Sequence, residues 1–241
     1  MAARFYSIFS STTGIEDPFA NEKKQSTQLA KQLYPELQQI VQNSEDTFET
    51  ALRLAIGGNV IDFGATPDFQ LKDAVKAIRE TASLPLDKNM LEILRNECQK
   101  AEKILYILDN CGEAVIDRLL IDAIGAEKVT LGVRGKIILN DITRAELPDS
   151  GLADLPVIDT GDRAPGVSLK HASGEFLDFM KKADLVIAKG QGNFESLNDA
   201  PEAGNTFFLF RVKCPVIEQL TGEEKGSLQI RSARLLKHEC Q

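Results

Sequence analysis

The sequence has little that could bind zinc or build a disulfide framework. Its four cysteines (Cys98, Cys111, Cys214 and Cys240) include no C-x-x-C pair, and its two histidines lack the spacing of zinc ligands. A chain of 241 residues can bury a core without disulfides. This cysteine usage is typical of a reducing compartment, and we expect a cytoplasmic location.

Long apolar runs and basic blocks are absent as well. No run approaches the roughly 20 apolar residues that a membrane span needs. Residues 1–14 also lack the apolar stretch of a signal peptide. The formal charge is −8, and no stripe of interleaved basic and aromatic residues occurs. We therefore expect neither a membrane nor a nucleic acid as a partner, and the sequence does not indicate an oligomeric state.

The spacing of apolar residues changes near residue 102. Residues 1–102 show apolar positions at helical spacing, and Pro35 predicts a kink or a restart in the first stripe. In residues 103–241, short apolar runs alternate with helical patterns, which predicts a parallel sheet. The strand candidates are 104–108, 129–133, 137–139, 157–158, 185–188 and 207–212. We expect an α/β protein with a three-layer α/β/α Rossmann-like core and a helical N-terminal portion.

The segment ILYILDNCGE, residues 104–113, ends a buried-type apolar run in an acid and an amide. Asp109 and Asn110 would lie at the carboxyl end of a strand, where open α/β sheets bind their ligands. An ordinary helix cap for residues 113–124 is an equally good local interpretation. Both readings remain open from this segment alone.

A second acid follows a second apolar run, in the segment ILND. Asp109, Asn110 and Asp141 would together offer hard oxygen donors of the kind that Mg²⁺ and Mn²⁺ prefer. Asn140 and Asp141 can instead be read as the cap of the segment ITRAEL. The set of three donors therefore predicts a metal site only if the two strand ends meet.

The segment LVIAKGQGNFES places a cation and two glycines after another strand candidate. Lys189 supplies the charge, and the backbone around Gly190 and Gly192 can approach an anion closely at the start of a helix. Taken alone, Lys189 is more often a solvated surface charge, and the same holds for Lys213 after FLFRVK. Acidic donors facing a lysine and a glycine loop nevertheless indicate a site that handles phosphate.

The motifs DNCGE, NDIT and KGQGNFESL, supported by GGNVIDFG and KCPVI, resemble those of the metal-dependent damage-control phosphatases. The resemblance extends from about residue 17, in DPFANEK, to about residue 220. It implies the α/β/α core and one divalent metal ion, which is Mn²⁺, Mg²⁺, Co²⁺ or Ni²⁺. It also implies a small phosphorylated metabolite as the substrate.

Carried over by motif, the resemblance assigns roles to individual residues. The implied metal ligands are Asp109, Asn110 and Asp141, and the implied catalytic residues are Asp109, Asp141 and Lys189. The implied substrate or phosphate contacts are Asn59, Asp62, Glu113, Lys189, Gly190, Gly192, Asn193 and Lys213. Two departures stand out: Cys111 replaces a usual alanine, and the cysteine-containing segment that begins many prokaryotic relatives is not in this sequence.

These observations favour a divalent-metal-dependent phosphatase acting on phosphoric monoesters, in which Asp109 is a ligand. Aspartyl-phosphate chemistry with Asp109 as the nucleophile needs an acid two residues on, where Cys111 stands. A carboxyl methyltransferase, an activity proposed for some eukaryotic relatives, needs a glycine-rich loop, and DNCGEAV offers one glycine. A non-catalytic module that binds the metal and a phosphorylated metabolite stays open.

Overall fold

The structure, a computed structural model, describes residues 2–58, 71–200 and 203–235. Within these residues the centre is a six-stranded sheet. Its strands are β1 (Ile104–Ile107), β2 (Val129–Val133), β3 (Val157–Asp159), β4 (Leu185–Lys189), β5 (Thr206–Arg211) and β6 (Leu228–Ser232). They lie in the order β3-β2-β1-β4-β5-β6, with β1 to β5 parallel and β6 antiparallel to β5.

This strand order creates a switch point between β1 and β4. From β1 the sheet grows outward through β2 and β3 on one side, and through β4 and β5 on the other. Open α/β sheets bind their ligands in the crevice beyond the carboxyl ends of the strands that flank such a point. The fold therefore singles out the residues that directly follow β1 and β4.

Helices cover both faces of the sheet. In the described part of the chain they are α1 (Ala2–Thr13), α2 (Ala20–Gln42), α3 (Thr47–Gly57), α4 (Leu71–Ala82), α5 (Lys88–Lys100), α6 (Cys111–Ile124), α7 (Gly174–Lys182), α8 (Gln191–Leu197) and α9 (Pro215–Thr221). Apolar residues of α2, α3, α5 and α6 pack in one core cluster, and those of α7, α8 and α9 pack in a second. The predicted three-layer α/β/α core with a helical N-terminal portion is confirmed.

Side chains of the central strands alternate between these two clusters. In β4, Leu185 and Ile187 join the cluster of α3 and α6, whereas Val186 and Ala188 join the cluster of α8. Successive side chains of a strand point to opposite faces. Lys189, the last residue of β4, accordingly faces the layer that contains α3 and α6.

The third strand candidate, 137–139, is wrong. Ile138 is buried, but the segment forms no ladder, and Leu139 lies in a turn with φ of 47°. An apolar run can be buried under a loop without pairing, and local hydrophobicity does not distinguish the two cases. The strand β6 was not among the candidates.

Pro35 neither ends nor divides its helix. The helix α2 runs unbroken from Ala20 to Gln42 with Pro35 inside it. Pro35 is exposed, so the carbonyl of Lys31 that loses its helical partner lies on the solvent side. None of the helices in the described residues is long and apolar enough to cross a bilayer.

The N-terminal helices and the sheet share one core. The cluster that contains Leu33, Leu52 and Leu94 from α2, α3 and α5 also contains Ile104 and Tyr106 from β1. Burial of this shared apolar surface joins the two portions of the chain. The division into residues 1–102 and 103–241 stays a prediction about chain organisation.

Candidate active site

Backbone hydrogen bonds join the DNCGE and NDIT segments. Asn110 and Asp141 form an isolated antiparallel bridge. The amide of Cys111 donates to the carbonyl of Asn140 at 3.1 Å, and the amide of Ile142 donates to the carbonyl of Asp109 at 2.9 Å. The three predicted metal ligands, Asp109, Asn110 and Asp141, therefore come together at the carboxyl end of β1.

Side-chain capping does not account for these residues. Asn110 occupies the N-cap position of α6, but it makes no side-chain capping bond there. The short 3₁₀ helix Arg144–Glu146 is capped by Thr143, whose hydroxyl accepts from the amide of Ala145 while Glu146 accepts from the amide of Thr143. The alternative reading of Asp141 as a cap is therefore wrong.

Burial dominates the electrostatics of the two acids, and like charge adds to its effect at Asp109. Burial raises the pKa of Asp109 well above its ordinary value, and the charges of Asp141 and Glu113 raise it further, against the opposing charges of Arg134 and Lys213. Burial also raises the pKa of Asp141, against the charge and hydrogen bond of Arg134. Two buried carboxylates that repel each other are a site that a cation would stabilise.

The donor set fits a hard divalent cation. Two carboxylates and the neighbouring amide of Asn110 are oxygen donors suited to Mg²⁺ or Mn²⁺, and they would leave coordination positions for water and substrate. No group of three or more His, Cys, Asp or Glu side chains placed for a metal occurs in residues 2–58, 71–200 and 203–235. The predicted ligands are two acids and one asparagine amide, so they do not form a group of that composition.

Arg134, which the sequence analysis missed, binds the same two acids. It directly follows β2, its side chain is buried, and its Nε donates to Oδ2 of Asp141 at 2.6 Å. Its Nη2 lies 3.5 Å from Oδ1 of Asp109. A signal was available, because Arg134 is the first polar residue after a strand, as Asp109 is.

Lys189 lies in a buried network and not in solvent. Its ammonium donates to Oε1 of Glu113 and Oδ1 of Asp117, both at 2.6 Å, and to the carbonyl of Ala55 at 2.9 Å. The reading of Lys189 as a solvated charge is wrong, since its side chain is fully buried. An ammonium has three donors, and all three are used here. The phosphate contacts of Lys189 and Glu113 stay predictions, and the one by Lys189 would require it to release a partner.

The opposite charges in this network keep Lys189 protonated. Burial alone lowers the pKa of Lys189, but the charges of Asp117 and Glu113 outweigh burial and raise it. Burial raises the pKa of Asp117 to about 7, against the charge of Lys189. Tyr106 also donates its hydroxyl to Oδ1 of Asp117 at 3.0 Å. Asp117 and Tyr106 are further residues that the sequence analysis did not single out.

The glycine loop after β4 packs directly on Asp109. Gly190 has φ of 80°, and a Cβ atom placed there would overlap the carboxylate of Asp109. The carbonyl of Gly192 lies against Gly166 in the same way, so a Cβ atom on Gly166 would overlap it. The loop thus brings backbone, and not side chains, close to the predicted metal ligands.

Asn193 ties the two central strands together. Its side-chain amide donates to the carbonyl of Lys189 at 2.6 Å and to the carbonyl of Leu108 at 3.3 Å. These carbonyls lie at the ends of β4 and β1, on either side of the switch point. The side-chain donors of Asn193 therefore hold the frame of the site, and its predicted phosphate contact stays a prediction.

Lys213 lies at the end of β5, on the same side as Asp109. Its charge lowers the pKa of Asp109, and its backbone amide donates to Oε1 of Gln191 at 3.0 Å. Gln191, the first residue of α8, thus fixes the segment that carries this cation. The remaining predicted contacts, Asn59 and Asp62, lie outside the described residues.

The DPFANEK segment supports the loop that carries Asp141. Lys23 is buried, and its ammonium lies 3.0 Å from Asp17 and 3.1 Å from Glu146. In α1, the hydroxyl of Tyr6 accepts from the amide of Leu139 at 2.9 Å. The N-terminal portion therefore holds both sides of the Asp141 turn.

Cys111 does not have the surroundings of a nucleophile. Its side chain is fully buried and makes a weak contact with the carbonyl of Asp141 at 3.8 Å. Burial raises the pKa of its thiol, so the protonated form persists at neutral pH. Cys111 fills space beneath the predicted metal ligands.

Comparison with known proteins identifies relatives over nearly the whole chain. A damage-control phosphatase of Pyrococcus horikoshii is 39% identical over 222 residues, which cover 89% of this chain and 74% of the relative. A damage-control phosphatase of Archaeoglobus fulgidus is 30% identical over 241 residues, which cover 95% and 80%. The crystal structure of a DUF89 family protein from Pyrococcus horikoshii matches with a TM-score of 0.83 at 35% identity, covering 96% of this chain and 80% of that one.

The sequence profile of one family agrees with these relatives. The family described as the damage-control phosphatase ARMT1-like domain matches residues 1–228. The match includes all three motifs on which the resemblance rested. The chain therefore belongs to the damage-control phosphatase ARMT1-like family.

Proposed function

We propose that this damage-control phosphatase hydrolyses phosphoric monoesters of small metabolites with one divalent metal ion held by Asp109, Asn110 and Asp141. The observation that carries the proposal is the backbone bridge between Asn110 and Asp141. It holds two buried carboxylates and an amide at the carboxyl end of β1, at the switch point of the sheet. Sheets of this class bind their ligands at that position.

The residues around that ion would have separate roles in binding the metal and the phosphoryl group. When bound, a divalent metal supplies Lewis acidity toward a phosphoryl oxygen and toward water. Asp109 and Asp141 would hold it as carboxylates, and the loop at Gly190 would bring backbone close to the substrate. Lys213, whose charge reaches Asp109, would bind a phosphoryl oxygen and offset the charge that develops during transfer.

Two of the competing chemistries lack residues that they need. Aspartyl-phosphate chemistry requires an acid two residues after Asp109, and that position holds the buried thiol of Cys111. Methyl transfer requires a glycine-rich loop after the first strand, but α6 begins at Cys111, only four residues after the end of β1 at Ile107. Neither alternative gains support from the described residues.

A metal-reconstitution assay tests the proposal. The protein is stripped with a chelator, and phosphate release is measured from a panel of sugar phosphates and other small monoesters. We expect release from at least some esters only after Mn²⁺, Mg²⁺, Co²⁺ or Ni²⁺ is returned. Undiminished release without metal would refute metal dependence, and ester binding without release would identify a non-catalytic module. The cytoplasmic location stays a prediction.

A further inference from the structure

Arg134 belongs to the same backbone framework as Asp141. Its amide donates to the carbonyl of Ile142 at 3.0 Å, and it forms an isolated parallel bridge with Thr143. The guanidinium and the Asp141 carboxylate are therefore carried on two segments that are hydrogen-bonded to each other. These backbone bonds fix the main-chain position of Arg134 relative to Asp141.

The guanidinium is buried with most of its donors unused. Its side chain is fully buried, and Nε donates to Oδ2 of Asp141 at 2.6 Å. Among the described residues, neither Nη1 nor Nη2 has a hydrogen-bond partner, although Nη2 lies 3.5 Å from Oδ1 of Asp109. Burying such donors without acceptors costs free energy, so this arginine is poorly explained as a stabilising element of the core.

The planar fork of arginine suits a bridge between two acids. Its Nε and Nη2 face different carboxylates, and one side chain thereby limits the positions of both Asp109 and Asp141. Nε of Arg134 donates to Oδ2 of Asp141. Arg134 therefore does not bind the other oxygen of that carboxylate, Oδ1. A lysine ammonium is a compact point charge and cannot occupy both positions of the fork.

We propose that Arg134 is a positioning residue that orients two metal ligands, Asp141 through the hydrogen bond from Nε and Asp109 through the ion pair with Nη2. The inference rests on the proposed metal site and extends it to a residue behind the ligands. Groups that hold ligating carboxylates by hydrogen bonds typically contribute roughly 10- to 100-fold to metal affinity. Loss of the fork with retention of the charge should therefore weaken metal binding by that factor.

The test is calorimetric titration of Mn²⁺ into wild type and Arg134→Lys. We expect the dissociation constant for Mn²⁺ to rise roughly 10- to 100-fold, while saturating Mn²⁺ recovers most phosphate release. Arg144→Lys is the matched control, because Arg144 makes the same Nε–carboxylate bond at the surface, to Asp159 at 2.5 Å. That control should bind Mn²⁺ as wild type does.

The outcomes separate this inference from the proposed function. Equal Mn²⁺ affinity in wild type and folded Arg134→Lys refutes the role of Arg134 alone. No Mn²⁺ binding by wild type refutes the metal site, and the role of Arg134 falls with it. If Arg134→Lys does not fold, the Nε–H resonance of Arg134 is followed in wild type during titration with Mg²⁺. It should shift with the same midpoint as metal binding, and an unshifted resonance overturns the inference.

Discussion

The backbone of Gly190 lies against the carboxylate of Asp109, so closely that a Cβ atom on residue 190 would overlap Oδ2 of Asp109. The two residues follow the two central strands, β1 and β4, that flank the switch point. Gly190 also has φ of 80°, a conformation that side-chain-bearing residues rarely adopt. The first glycine of KGQG, Gly190, is thus required by the packing of this loop on Asp109, a proposed metal ligand.

Gly190→Ala should damage the site through Asp109. The new methyl group must displace the carboxylate, and the backbone strain adds on the order of 1–3 kcal/mol. We expect a loss of at least about tenfold in kcat/KM together with weaker Mn²⁺ binding. The matched control is Gly174→Ala, where an added Cβ atom meets nothing within 4 Å. Unchanged kinetics in Gly190→Ala would contradict this packing.

Lys189→Met should destabilise the fold. The variant leaves the buried carboxylates of Glu113 and Asp117 facing each other without their cation, which typically costs about 3–5 kcal/mol. Chemical denaturation measures the loss. The double variant Lys189→Met/Asp117→Asn should cost less than Lys189→Met alone, because the neutral amide replaces an acid that would otherwise have to stay ionised or take up a proton without the cation that lowers its pKa. Wild-type stability in Lys189→Met would mean that the network contributes nothing.

Asp117 should make stability depend on pH. Its folded pKa is about 7, above the ordinary value, so the folded state keeps a proton that the unfolded state loses near pH 4. This contribution to stability is complete below about pH 4 and is lost as the pH rises to about 7. Asp117→Asn removes the titration, and its stability relative to wild type should therefore rise across that window. Denaturation curves at pH 4 to 8 test this, and a constant difference would contradict it.

Lys213→Ala should lower turnover without weakening metal binding. The charge of Lys213 lowers the pKa of Asp109, so the lysine lies near the proposed metal ligands. A fixed charge that stabilises a transition state contributes on the order of 3 kcal/mol, or roughly a hundredfold in rate. Removing a cation near the ligands should not reduce their affinity for Mn²⁺. The control is Lys225→Ala at an exposed position. Equal rates in Lys213→Ala and Lys225→Ala would show that Lys213 does not act on the phosphoryl group.

The strand ends could be predicted from the sequence, because two signals agree there. The runs before Asp109 and Lys189 are apolar throughout, as expected for strands covered on both faces, and each passes abruptly into polar residues. Parallel strands bring such ends to one edge of the sheet. The sequence pattern alone therefore predicted that these polar residues lie at one edge of the sheet.

The partners of each side chain could not be predicted in the same way. The alternation in β4 indicates that Lys189 faces a helical layer, but its acceptors are Glu113 and Asp117 on α6 and a carbonyl of α3. Those contacts depend on how two distant helices pack. Arg134 is a second example. Its place after a strand indicates the edge of the sheet that carries the site, but only its burial distinguishes it from a solvated surface charge.

Calorimetric titration of Mn²⁺ into wild type, Asp109→Asn and Asp141→Asn, each paired with phosphate release, tests the proposed metal site most directly. We predict that wild type binds one Mn²⁺ and that each variant loses both binding and turnover while remaining folded. Without metal, Asp109→Asn should be at least as stable as wild type, because it removes a buried carboxyl group whose pKa is raised by burial and by the charges of Asp141 and Glu113. Wild-type Mn²⁺ binding and turnover in either variant would show that the replaced acid is not a metal ligand.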